Sequence, residues 1–304
     1  MTDRKIWFKG LMIPADQARV SVLSPMAQYG VNVFEGIRCY SSSNSDNQLF
    51  VFRLEEHLAR LLRSAKIFGI ACPFAVDDLR KHLIESIVAN DYHQDTIVRL
   101  TLFVDGEGGW SATEPVEMFI APIQKKRTNT IAPTLLRACV STWRRIDDNS
   151  TPPRVKAGAN YINGRYAHLE AVRQGCDVPL LLGYDGKLAE GAGACIFIVR
   201  DGTLITPPPT SSSLESITRS SLLELARDAG MQVVERVVDR TELYLADEIF
   251  LCGTAAEVAP ICSVDNMVVG SGKLGPITLS VLKNYHDVVS GAEPRFASWL
   301  TPVY

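Results

Sequence analysis

The hydrophobic period of this 304-residue chain changes at Leu54, and that switch limits what its first part can fold into. Leu49-Phe50-Val51-Phe52-Arg53 is a short run rich in β-formers. From there on, Leu54, Leu58, Leu61, Leu62, Ala65 and Phe68 recur at helical spacing on one face, and Gly69 marks the end. A second helix is predicted from Val76 to Ala89, with Leu79, Leu83 and Ile87 turned inward. Lys5 to Lys9 and Arg19 to Leu23 are further β-rich segments. The apolar stretches Thr96 to Val104 and Val116 to Ile123 read as buried strands that complete a first sheet. Strands followed by helices give an α/β domain over residues 1–123.

The polar stretch that begins at Gln124 is the expected inter-domain linker, residues 124–133, with a second domain over 134–304. A strand near Leu135 to Ser141 opens this domain, and a loop rich in Asp, Asn and Pro follows from Asp147 to Pro153. Asn160 to Gly175 reads as a helix with Ile162, Tyr166, Leu169 and Val172 inward. Asp185-Gly186 and Asp201-Gly202 each sit between apolar runs, the signature of a tight hairpin, so mixed sheets are expected here. Ser216 to Ala229 is a helix closed by Gly230, and Glu242 to Phe250 carries a helical turn into a strand before a small-residue turn at Gly253. The expected fold class is therefore α/β, with α+β mixed sheets in two domains.

With 46% hydrophobic and 21% charged residues, the chain has the balance of a globular protein rather than a disordered one. A net charge of -3 gives no overall basic field for nucleic acid, and Lys125-Lys126-Arg127 reads as a solvated connection. Seven cysteines without a Cys-x-x-Cys pair suit a reducing compartment, so a cytoplasmic location is expected. The first residues lack an apolar signal core and no apolar run reaches spanning length, so no membrane is expected. The five histidines show no ligand spacing, so no metal is expected either.

Four segments carry chemistry. Arg154-Val155-Lys156-Ala157-Gly158-Ala159-Asn160-Tyr161 offers a lysine with almost no side-chain bulk after it. Glu190-Gly191-Ala192-Gly193, Ser216-Ile217-Thr218-Arg219 and Gly253-Thr254-Ala255-Ala256-Glu257 follow in that order. Each has a plain structural reading: a solvated lysine, a hairpin-end carboxylate in water, a helix-capping Thr218, a turn at Thr254. Arg60 lies off the apolar stripe of its helix, where solvent is the simplest expectation. Taken together they are the parts a pyridoxal phosphate enzyme needs. A lysine can form a Schiff base with the aldehyde, a carboxylate can hold the ring nitrogen protonated, and turns at helix N-termini can donate to a phosphate.

The chain resembles the class IV aminotransferases, and within them it is most similar to branched-chain amino acid aminotransferases. Tyr29-Gly30, Val33 to Tyr40, Arg53 to Arg60, Tyr244 to Glu248 and the four segments above stand in family order over nearly the whole chain. The resemblance implies a fold type IV enzyme with pyridoxal 5'-phosphate in the cleft between its two domains. Lys156 would hold the cofactor and shuttle the proton between the substrate α-carbon and the cofactor C4′, and Glu190 would pair with the pyridine nitrogen. Arg60, Ile217, Thr218 and Thr254 would hold the phosphate, and Tyr161 the phenolic oxygen. Thr254 and Ala255 would help bind the substrate carboxylate. Tyr29, Phe34, Arg38 and Arg99 would line the substrate pocket, with Arg38 and Arg99 placed for the distal carboxylate of glutamate. The implied activity is ping-pong transamination between L-leucine, L-isoleucine or L-valine and 2-oxoglutarate. Its partners would be small amino acids and 2-oxo acids, in a homodimer or higher homo-oligomer. D-amino acid transaminases, (R)-amine transaminases and aminodeoxychorismate lyases share the fold and form the alternative. The chain departs from the family pattern at Ile97 and near Ile123, where aromatic residues are common, at Ala194-Cys195 and at Ser216.

Overall fold

The computed structural model describes residues 4–45, 47–128 and 132–304, so residues 129–131 of the expected 124–133 linker lie outside the described residues. In chain order the elements are β1 (Lys5–Phe8), β2 (Leu11–Pro14), α1 (Pro25–Tyr29), β3 (Asn32–Ser41), β4 (Leu49–Phe52), α2 (Leu54–Phe68), α3 (Val76–Val88), β5 (Thr96–Val104) and β6 (Val116–Gln124). After them come β7 (Leu136–Val140), α4 (Tyr161–Arg173), β8 (Val178–Leu182), β9 (Leu188–Gly191), β10 (Cys195–Arg200), β11 (Thr203–Thr206), α5 (Ile217–Asp228) and β12 (Val233–Glu235). The chain closes with β13 (Glu248–Gly253), β14 (Glu257–Val264), β15 (Met267–Val268), α6 (Pro276–Val289) and β16 (Leu300–Pro302). Two compact units result. The first is Met1–Arg127 with Val155–Ala159 and Asp287–Tyr304, and the second is Thr128–Arg154 with Asn160–His286. A division at a single linker does not anticipate that the lysine segment and the C-terminal strand belong to the first unit.

The first unit is built on a seven-stranded sheet in the order β16-β4-β3-β5-β6-β1-β2, with every neighbouring pair antiparallel. Because side chains alternate along a strand, β3 sends Val33, Glu35, Ile37 and Cys39 to one face and Phe34, Arg38 and Tyr40 to the other. The first face meets α2 and α3, whose Leu54, Leu58, Leu61, Leu79, Leu83 and Ile87 are buried as the spacing predicts. Each such leucine contributes roughly 1.5–3 kcal/mol. One residue joins β4 to α2. Arg53 takes the left-handed conformation (φ 53°), donates its N–H to Trp299 O at 2.7 Å and stacks its guanidinium 3.7 Å from that indole centroid. Gly69, at φ 80°, ends the helix. Arg19 to Leu23 does not form a strand, and Val22 and Leu23 are exposed. The edge beside β1 is taken instead by β2, brought round by a turn in which Lys9 and Gly10 both have positive φ. β-propensity without a partner strand does not make a strand.

The second unit holds a nine-stranded sheet with the path β12-β11-β10-β13-β14-β7-β8-β9, to which β15 adds beside β14. It is mixed as expected: β11/β12, β14/β7 and β7/β8 are parallel and the remaining pairs antiparallel. Both Asp-Gly hairpins form, with Asp201 and Gly202 at φ 50° and 75° in the second of them.

The helix α4 is where the sequence expectation needs correcting. Ile162, Tyr166, Leu169 and Val172 face outward and are exposed, while Gly164, Ala167, Glu170 and Ala171 face the sheet. The small residues let the helix approach closely, and the Glu170 carboxylate is satisfied there by the hydroxyls of Ser141 and Thr142 and the Thr142 N–H. The large apolar residues are left on the far side, where Tyr166 stacks on Trp143 with centroids 5.0 Å apart. Among the described residues, no helix is long and apolar enough to cross a membrane.

A test of this close approach is Gly164→Ala. In an ordinary helix that change stabilises by about 1 kcal/mol. Here a Cβ would strike the carbonyl oxygen of Ala192. The variant is therefore expected to lose roughly 1–3 kcal/mol in denaturant unfolding, the usual cost of overpacking, and a stabilised variant would show the approach is looser than described.

Candidate active site

In the first unit the segment Val155–Ala159 is sewn to the sheet by its backbone. Lys156 O accepts from Phe34 N at 2.9 Å, Lys156 N donates to Ser64 Oγ at 3.1 Å, and Gly158 N donates to Asn32 O at 3.2 Å. Val155 and Ala157 are buried in the core beside Val33. A Cβ at Gly158 would lie 2.7 Å from Asn32 Oδ1, so a larger residue there would have to turn the Asn32 amide aside. The Lys156 side chain sits with Nζ 5.0 Å from the Phe34 ring centroid, and the Arg99 guanidinium carbon is 3.9 Å from the same centroid. An amine, an aromatic wall and a cation thus share one region of the sheet face opposite the helices.

The cross-strand register extends that face. Arg99 lies opposite Gly36 and Ala121, and Ile97 lies opposite Arg38 and Ile123. The two predicted substrate arginines differ in setting. Arg99 is exposed, whereas Arg38 is 1% exposed, donates from Nη1 to Lys125 O at 2.6 Å and lies over the Tyr40 ring. Tyr29 is the exposed last residue of α1, which Gly30 closes at φ 69°.

Arg60, for which solvent was the simplest expectation, is buried on α2. Its Nε and Nη2 bind Glu35 Oε1 and Oε2 at 2.8 and 2.7 Å, and His57 Nδ1 shares Oε2 at 2.7 Å. Burial alone would raise the Glu35 pKa, but the charges and hydrogen bonds of Arg60 and His57 outweigh it and bring it down to about 2. Burial also lowers the pKa of His57, against the pull of Glu35. An ionised carboxylate only accepts, so the neutral imidazole must carry its proton on Nδ1. Neither Glu35 nor His57 was legible as a site residue: nothing in sequence says that strand position 35 faces helix positions 57 and 60.

In the second unit Glu190 is 3% exposed rather than solvated, and Arg145 anchors it through Nε to Oε1 at 2.7 Å. Arg145 in turn donates to Asn163 Oδ1, and Glu190 Oε2 accepts from Leu214 N at 3.3 Å. The Cys195 thiol donates to Glu190 Oε2 at 3.7 Å and is pushed up to about 12, first by burial and then by that carboxylate. Arg145 was missed because a lone arginine in a loop gives no signal.

The N-terminus of α5 is capped by Ser216, whose Oγ accepts from Arg219 N at 3.2 Å. Capping thus falls to Ser216, the residue that departs from the family pattern, and Thr218 is buried in the first turn. Helix geometry leaves the N–H groups of Ile217 and Thr218 without intrahelical acceptors, a natural anion seat. Thr254 and Ala255 lie on the turn between β13 and β14, which closes on buried Glu257 at φ 54°. Gly193 lies close to Tyr161 and to the start of the Thr254 turn: a Cβ there would lie 3.6 Å from Tyr161 Cε1, and one at Gly253 would lie 3.6 Å from the Gly193 carbonyl oxygen. Tyr161 is the first residue of α4.

The first unit thus presents a lysine on its sheet face, and the second a buried anchored carboxylate and two turns, the residue types of an aminotransferase. The chain belongs to the class IV aminotransferase family, whose model, Amino-transferase class IV, matches residues 32–264. Within it, the chain is 38% identical over 312 residues to the branched-chain-amino-acid aminotransferase of Salmonella typhimurium, covering 100% of this chain and 99% of that one. The branched-chain amino acid aminotransferase of Thermobaculum terrenum, solved in its PLP form, superposes with a TM-score of 0.93 at 41% identity over 99% of both chains. That of Thermoproteus uzoniensis, solved with norvaline, also gives 0.93, at 38% identity over 99% of both chains. The expected fold type IV architecture is borne out.

The Glu35 cluster makes a pH prediction. A carboxylate whose folded pKa is about 2 against an ordinary 4.5 stabilises the fold above pH 4.5, and that contribution is lost as pH falls toward 2. The amount at stake is on the order of 3 kcal/mol. The stability gap between wild type and Glu35→Gln, measured by urea unfolding, should be widest near neutrality and narrow below pH 4.5. Parallel pH curves would mean that the buried carboxylate is not ionised.

Proposed function

We propose that this chain moves the amino group between L-leucine, L-isoleucine or L-valine and 2-oxoglutarate, in two half-reactions on pyridoxal 5'-phosphate. The observation that carries the reading is the convergence on Phe34 of the Lys156 amine and the Arg99 guanidinium. An amine beside an apolar wall suits an amino acid with a hydrocarbon side chain, and a cation at the same wall suits glutamate.

The residues present fit the cofactor. Lys156 is an amine that can join its aldehyde, and the anchored Glu190 is a carboxylate suited to a protonated ring nitrogen. The N–H groups of Ile217 and Thr218, the turn at Thr254 and the Arg60 guanidinium, oriented by its fork on Glu35, suit a phosphate, and the Tyr161 hydroxyl suits a phenolic oxygen. When bound, the cofactor supplies an electron sink for the bond broken at the substrate α-carbon. Lys156 Nζ takes the proton from that carbon and returns it on the other side of the transfer. Glu190 would meet the ring nitrogen with its carboxylate held in one orientation by Arg145. Thr254 and Ala255 hold the substrate α-carboxylate. Tyr29 and Phe34 bound the side chain, and Arg99, with Arg38 beside it, receives the distal carboxylate. Seven cysteines without a paired motif suit this chemistry in the cytoplasm.

The assembly is a homodimer or a higher homo-oligomer. It is supported by the stripe of Trp143, Ile162, Tyr166, Leu169 and Val172 left exposed on one side of α4. Tyr166→Glu should shift the sedimentation profile toward a smaller species. An unchanged profile would remove this face from the interface.

The reaction itself is tested by half-reactions followed by cofactor absorbance. Lys156→Ala is expected to bind the cofactor but give no turnover with any donor, and near-wild-type turnover would end the assignment. Arg99→Ala should slow the glutamate half-reaction by about 10- to 100-fold, the worth of a hydrogen bond to a charged group, and leave that with leucine nearly intact. Equal losses would deny Arg99 the distal carboxylate, and a wild type that took (R)-amines or D-amino acids but not 2-oxoglutarate would move the function to another enzyme of this fold.

A further inference from the structure

β3 carries a carboxylate that the reaction does not use. Glu35 lies on the helix-covered face among Val33, Ile37 and Leu100, where an isolated ionised group costs several kcal/mol. It is instead held by three hydrogen bonds. Two of them, at 2.8 and 2.7 Å, form a fork with Arg60 that fixes the plane of the guanidinium. The third, from His57 at 2.7 Å, fixes the rotation of the carboxylate itself. His57, Arg60 and Ser64 follow one another at three- and four-residue spacing on α2, and Ser64 receives the Lys156 N–H. The helix turns that orient Arg60 therefore also meet the backbone of the lysine.

We propose that Glu35 is a positioning residue for the phosphate end of the cofactor: with His57, it locks the Arg60 guanidinium in the one orientation that serves the phosphate. The inference rests on the reading of Arg60 as a phosphate-holding residue. Stability alone is a poor reason for such a cluster, since apolar residues of similar volume usually do as well as a buried ion pair. Orientation is a better one, because a lysine or an unanchored arginine in its place would have rotational freedom to lose on binding. The pairing also means that Arg60 reaches a phosphate as a directed donor whose charge Glu35 has already balanced.

The test compares pyridoxal 5'-phosphate with pyridoxal, which lacks the phosphate, by titrating the apoprotein and reading cofactor absorbance, with thermal unfolding in parallel. Glu35→Gln is expected to weaken binding of the phosphorylated ligand by about tenfold or more, as for a lost hydrogen bond to a charged group, and to change pyridoxal binding less than about threefold. Equal weakening of both ligands, or no weakening, would overturn the proposal. Arg60→Lys separates it from the reading beneath it. If Arg60→Lys loses the preference for the phosphorylated ligand and Glu35→Gln keeps it, Glu35 alone is misassigned. If neither changes the preference, Arg60 does not hold the phosphate and both fall. Should Glu35→Gln not fold, His57→Gln removes only the third hydrogen bond. A several-fold drop in the preference would then support the clamp, and an unchanged preference would overturn it.

Discussion

The backbone of Lys156 is tied on both sides, its N–H to Ser64 on α2 and its C=O to the Phe34 N–H on β3. Everything proposed for the lysine depends on this pair of bonds. A catalytic amine must change partners during a reaction, so its place cannot be set by what its side chain binds. Here the place is set by main-chain groups and by Val155 and Ala157, which flank it in the core as two apolar anchors. That arrangement also explains why five residues from the middle of the chain belong to the first unit. They complete the edge of its hydrophobic core, and only then does the lysine stand over Phe34.

Each unit contains one buried carboxylate–arginine pair, and the two pairs divide their labour in opposite ways. In the first, Glu35 is the anchor and Arg60 the residue proposed to meet the cofactor. In the second, Arg145 is the anchor and Glu190 the residue proposed to meet it. Taking two charges out of water is expensive, and the return in stability is small at best. What such a pair does supply is a single orientation for the group that must bind, with its desolvation already met before the ligand arrives. Cys195 shows the same low-polarity surroundings from another side, since its thiol is held protonated next to Glu190.

The parts of the fold that were legible in the sequence are those set by local periodicity and turn chemistry. α2, α3 and β5 follow from apolar spacing, and the two Asp-Gly hairpins follow from the positive φ their turns demand. α4 reversed its expected face because periodicity locates a stripe but not its direction. When Gly164 and Ala167 can bring a helix closer to a sheet than Tyr166 can, the small residues go inward. Arg19 to Leu23 has β-formers but no partner. Among the proposed site residues, Lys156 and Glu190 were visible through motifs. The residues that hold them or their neighbours in place, Glu35, His57, Ser64 and Arg145, were not. Their roles arise from pairings across 22 to 92 positions of sequence, as in Glu35 with His57 and Lys156 with Ser64, and no local pattern encodes those.

The two arginines proposed for the substrate offer a physical account of how one pocket serves an apolar side chain and a carboxylate. Both stand on the sheet face that carries Phe34, diagonally placed because Arg38 pairs with Ile97 and Arg99 with Gly36. Arg38 is buried and held against Tyr40 and the Lys125 carbonyl, so moving it would break a hydrogen bond made by a buried cation. Arg99 lies on the Phe34 ring and is exposed. A guanidinium is weakly hydrated and stacks on aromatic faces, so it can lie against hydrocarbon when the substrate is leucine and still offer its fork when the substrate is glutamate. An ammonium, strongly hydrated and without a flat face, would keep water at the same wall and could not serve both. The demand for two substrates thus favours arginine over lysine at position 99, and the aromatic ring beneath it is what lets a cation wait in an apolar pocket.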